Sequence, residues 1–67
     1  MEIGQRIRAN KMCESGFYIK AEGAITGIKN GFILFNADRV MDKWSKKWKD
    51  HPTSCATSVK VENAVLI

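Results

Sequence analysis

An Asn30-Gly31 pair stands between the runs Ala24-Ile-Thr-Gly-Ile-Lys29 and Phe32-Ile-Leu-Phe35, and it constrains this chain more than any other feature. Asn and Gly accept positive φ at both central positions of a type I′ turn, whose twist matches that of the strands it joins. The segment therefore predicts a β-hairpin. Gly23 and Gly27 predict bends or bulges where the first of its strands curls toward a small barrel.

The flanking sequence is also strand-like. Ile3 and Ile7 lie four apart, with Gly4 placed to supply a bend, and Arg6-Ile7-Arg8 alternates like a strand with one wet face. Asn10 to Gly16 is polar and turn-like, whereas Phe17-Tyr18-Ile19 suits a pleated surface. The end of the chain reads as strand (Thr57-Ser-Val-Lys-Val61), tight turn (Glu62-Asn63-Ala64) and strand (Val65-Leu-Ile67). Its three closing apolar residues predict a paired and buried end.

Residues 37–50 allow two readings. Val40, Met41, Trp44 and Trp48 follow helical spacing, Asn36 is placed to cap a first turn, and Pro52 sits just past the end. A short helix is the expectation, with both indoles on one side. The competing reading is a long, curled hairpin loop with partial strand character.

With 67 residues the chain makes one domain, residues 1–67, which buries roughly 60% of the surface its unfolded form exposes. So small a core leaves little room for an enzyme pocket. The net charge of +4 favours phosphate, RNA, DNA or acidic protein surfaces. No secretory signal or membrane-length apolar run is visible, and two cysteines make no disulfide framework. The expectation is a small basic cytoplasmic protein with reduced thiols.

The order strand, loop, strand, hairpin, insertion, strand, single turn, short strand resembles the SH3-like small β-barrels, including the KOW type of ribosomal and transcription-associated proteins. The residues that carry the likeness are Ile3-Gly-Gln-Arg-Ile7, Gly23-Ala-Ile-Thr-Gly-Ile28 and Val59-Lys-Val-Glu-Asn-Ala-Val-Leu-Ile67. The resemblance implies a mainly β, five-stranded barrel with an insertion before its last two strands, and a 3₁₀-like turn into the final one. The segment 37–58 is longer than the usual connection, and the aromatic groove of peptide-binding SH3 domains has no counterpart. Free-standing barrels of this size look like accessory factors of phages or mobile elements.

The insertion holds the main candidate site, Asp42-Lys-Trp-Ser-Lys-Lys-Trp-Lys-Asp-His-Pro52. Lys43, Lys46, Lys47 and Lys49 are candidate phosphate contacts, with Arg6 and Arg8 as helpers joined by Lys11, Lys20 and Lys29. Trp44 and Trp48 serve either as a stacking platform for a base or as a lid closing the core. The functional expectation is a non-enzymatic module contacting nucleic-acid backbone through a basic face. The alternative is an inhibitor or adaptor that engages a host protein through Trp44 and Trp48. A homo-oligomer built by pairing barrel edges is a third reading. Cys13, His51 and Cys55 are too few and wrongly spaced for structural zinc, and Cys55 with His51 lacks any group to orient the imidazole. No metal, cofactor or catalytic residue is expected.

Overall fold

The computed structural model describes residues 1–11 and 18–67, apart from the side chains of residues 52–55. Strands β1 (Arg6–Ala9), β2 (Tyr18–Lys29), β3 (Phe32–Asp42), β4 (Trp48–Lys60) and β5 (Ala64–Leu66) form one antiparallel sheet in the order β4-β3-β2-β1-β5. A 3₁₀ turn, Val61–Asn63, joins β4 to β5. The fold is mainly β, as the sequence predicts. The sheet ends in β4 at one edge and β5 at the other. Among the described residues no helix is long and apolar enough to cross a membrane.

The predicted hairpin is β2–β3. Asn30 (φ 47°) and Gly31 (φ 81°) both occupy the left-handed region, and Lys29 pairs with Phe32 directly beyond them. The Val61 N–H donates to the Gly31 carbonyl at 2.9 Å, which ties the 3₁₀ turn to the hairpin tip. The β2–β3 register shifts between Tyr18 and Lys20, between Glu22 and Gly23, and between Ile25 and Gly27. At Gly23 the two backbones approach so closely that a Cβ would collide with the Asn36 carbonyl oxygen. Only glycine fits there. Gly4 (φ 94°) bends the chain before β1, and its N–H reaches the Ile25 carbonyl at 2.8 Å.

Alternation along these strands builds the core. Ile33, Phe35 and Ala37 of β3 point inward with Ile7, Ala9, Ala21, Ile25, Val40, Val59 and Ala64, and half-buried Tyr18 packs against them. Phe35, Ile7, Ile25, Ile33 and Val59 are the largest side chains wholly removed from water.

Two expectations are corrected. Residues 37–50 are not helical: β3 runs to Asp42, a turn follows, and β4 begins at Trp48. A spacing of four is even, so Val40, Trp44 and Trp48 satisfy the two-residue period of a strand as well as a helical turn. Pro52 is accommodated because β4 is an edge strand, and between the Arg39–Asp50 and Ala37–Cys55 pairs it carries extra residues. The end of the chain is paired but not buried. Leu66 pairs with Ile7, and the Ile67 N–H donates to the Arg6 carbonyl at 3.2 Å, yet Val65, Leu66 and Ile67 stay about half exposed. A three-residue edge strand places one side chain, Ala64, in the core.

Candidate functional site

One row of cross-strand partners crosses four strands on the face opposite the core: Arg8 of β1, Glu22 of β2, Arg39 of β3 and Asp50 of β4. Its charges alternate in sign, the favourable order for directly opposed side chains. Glu22 is 4% exposed and is the one buried charged residue among those described. Its carboxylate accepts from Arg8 Nε at 2.9 Å and from Arg39 Nη1 at 3.3 Å, with Arg8 Nη2 also 2.8 Å away. Arg39 Nε lies 3.9 Å from Asp50. The indole of Trp48 completes this cluster. The guanidinium carbons of Arg8 and Arg39 stand 5.4 Å and 5.5 Å from its ring centroid, within cation–π range.

Beside this row, Arg6 donates from both Nη atoms to the two carboxylate oxygens of Asp38, each at 2.8 Å. The paired guanidinium holds the Asp38 carboxyl below the usual carboxylate range, and the carboxylate in turn raises Arg6. The sequence predicts Arg6 and Arg8 as helpers in contacting phosphate, but both already face carboxylates. The hydrogen-bond partner of Asp38 thus lies 32 positions away in the sequence.

The β3–β4 turn is built differently. Asp42 Oδ1 accepts the N–H groups of Trp44 at 3.0 Å and Ser45 at 2.6 Å, while Oδ2 accepts the Ser45 hydroxyl at 3.0 Å. These donors, the Ser45 N–H foremost, hold Asp42 below its ordinary range. The Lys46 N–H donates to the Asp42 carbonyl at 3.1 Å, and Lys46 itself takes φ 54°. An aspartate that caps its own turn competes directly with helix formation, which gives a second reason why the helix is absent.

This turn lifts Trp44 into solvent at 68% exposure, with Lys43 Nζ 5.0 Å from its ring centroid. Lys46 and Lys47 are exposed and carry no ion pair with a described residue. Lys49, already on β4, lies 3.8 Å from Asp42 and 5.6 Å from the Tyr18 ring centroid, and Tyr18 meets His51 edge-on at 6.0 Å.

The structure thus separates the predicted set. Lys43, Trp44, Lys46 and Lys47 gather on one turn; Trp48 belongs with Arg8, Arg39 and Glu22; Lys49 faces Asp42 and Tyr18. Neither indole is a buried lid, because Trp44 is exposed and Trp48 is half-buried. Sequence reasoning missed Glu22 and Arg39, whose meeting depends on register across β1, β2 and β3. Cys13 and the side chain of Cys55 lie outside the described residues. Among those described, no three His, Cys, Asp or Glu side chains converge as metal ligands. No protein-family model, curated protein or solved structure matches this chain.

Proposed function

We propose that this chain is a non-enzymatic binding module that contacts nucleic-acid backbone through the β3–β4 turn, with the sheet rolled as a five-stranded SH3-like barrel. The observation that carries the reading is Trp44, 68% exposed on a turn with Lys43, Lys46 and Lys47 around it. A ring face beside mobile cations suits unpaired bases and phosphates together. Lys46 and Lys47 supply the phosphate contacts, since Arg6 and Arg8 already face Asp38 and Glu22. The barrel half of the reading draws support from the strand order and from the 3₁₀ turn between β4 and β5. A cytoplasmic accessory role, as the resemblance to small barrels of phages and mobile elements suggests, fits this reading.

Titration of labelled single- and double-stranded oligonucleotides at about 50 mM salt tests the proposal, because electrostatic binding is strongest at low salt. Wild-type chain should bind and Lys46→Glu/Lys47→Glu should weaken binding at least about tenfold, whereas absence of wild-type binding would sink the reading. The exposed indole also favours a second reading, a protein-interaction module centred on Trp44. In that case Trp44→Ala abolishes capture of the partner while the lysine charge swaps do little. Light scattering tests a homo-oligomer paired through the β4 or β5 edge.

A further inference from the structure

We infer that the outer face of the β2–β3 hairpin end is a second contact for single-stranded nucleic acid. It takes an unpaired base against Phe32 and Leu34 and holds neighbouring phosphates at Lys29 and Lys60. The inference rests on the proposed nucleic-acid reading and extends it to the opposite end of β3 from Trp44.

Period-two alternation puts Ile33 and Phe35 in the core and turns Phe32 and Leu34 outward, each 39% exposed. Phe32 has Lys29 as its cross-strand partner on β2 and Lys60 on β4, so an aromatic ring sits in a row between two cations. Leu34 is flanked in the same way by Gly27 and Ser58, neither of which covers it. The result is an open groove of about 390 Å³ over Leu34, edged by Thr26 and Ser58. A second depression of about 390 Å³ continues from Leu34 past Phe32 to Lys29.

Charge selects the occupant. Lys29 and Lys60 have no ion pair with a described residue, and the carboxylate bordering this end is Glu62, beyond Phe32 on the 3₁₀ turn. An apolar floor, hydroxyls at its edge and cations on either side of a ring match the face, edge and phosphate of a nucleotide. The composition repeats that of the Lys43-Trp44 turn in a different part of the fold.

The test is a salt titration of the full chain with a fluorescent single-stranded oligonucleotide of about twelve nucleotides. Lys29→Gln/Lys60→Gln should lower the slope of log affinity against log salt by about 1.4, at about 0.7 for each phosphate no longer neutralised. Phe32→Ala should weaken binding about tenfold with little change in slope, and Phe32→Tyr, which keeps the ring, should restore it. If Lys46→Gln/Lys47→Gln lowers the slope while the hairpin-end variants bind like wild type, the second contact is overturned and the turn remains the site. If the wild-type chain binds no oligonucleotide, both readings fall. Competition by polyglutamate as effective as that by unlabelled oligonucleotide also overturns the assignment to a nucleotide.

Discussion

Trp44 and Trp48 share a sequence neighbourhood rich in lysine, yet the fold gives them opposite surroundings. Trp48 lies with two guanidiniums against its ring, in a cluster that hides Glu22 from water. Trp44 stands in solvent on a turn held by Asp42, with one lysine against its ring. The cause is where the strand starts. Trp48 is the first residue of β4 and lies on the ladder opposite Met41, whereas Trp44 precedes that ladder and sits on the turn. Identical side chains in a basic segment therefore divide into one packed into the ion-paired face of the sheet and one exposed on a turn.

The largest effect expected from this division is at Glu22. Glu22→Ala leaves Arg8 and Arg39 facing each other across a half-covered site. Breaking a buried pair costs roughly 3–5 kcal/mol, and the partial exposure of both arginines puts this case near the lower end. A destabilisation of about 3 kcal/mol is a large share of the stability of a domain this size. Urea unfolding followed by far-ultraviolet circular dichroism measures it. A change under about 0.5 kcal/mol would show that water serves the arginines as well as Glu22 does. Trp48→Ala comes next, at about 2 kcal/mol, from removal of a half-buried ring and its two cation–π partners. Its effect should be non-additive with Glu22→Ala, because the two residues share the same arginines.

The hairpin and the bulges are legible in the sequence because each depends on local backbone chemistry, at Asn30-Gly31, Gly23 and Gly27. Strand, turn and strand at the end of the chain are legible for the same reason. The lysine–tryptophan segment stands out by composition, but its conformation does not, since a four-residue spacing fits both helix and strand. Two further details are readable in principle: Asp42 followed by Ser45 three positions on in that segment, and the unbroken run Phe32-Ile-Leu-Phe35 after the hairpin turn. A one-sided strand must turn two of those four residues outward. The ion pairs Arg6–Asp38 and Arg8–Glu22–Arg39 are not legible, because register across strands far apart in sequence creates them.

Trp44→Ala sharpens the contrast from the other side. Its removal should change stability by less than about 0.5 kcal/mol, as for an ordinary surface substitution. Oligonucleotide affinity should nonetheless fall about tenfold, the effect expected for one stacked base. A destabilisation approaching that of Trp48→Ala would mean that the two indoles are both structural, and the division between them would disappear.

The smallest effect concerns the arginine that the sequence assigns to phosphate. Asp38 titrates below the ordinary aspartate range in the folded chain because Arg6 donates to both of its oxygens. A depressed folded-state value means the unfolded chain takes up the proton first as acid is added. The stabilisation is therefore complete above the unfolded value of about 4 and is lost as pH falls through the folded value. Both side chains are over 40% exposed, which limits the contribution to under about 1 kcal/mol. Urea midpoints of wild type and Asp38→Asn should thus differ modestly near pH 7 and converge in acid, as pH falls through the depressed Asp38 value. A difference that persists in acid would mean that Arg6 is not engaged by the charge of Asp38. Arg6 would then return to the set of cations available to phosphate, and the separation between the ion-paired face and the open turn would narrow to the Glu22 cluster alone.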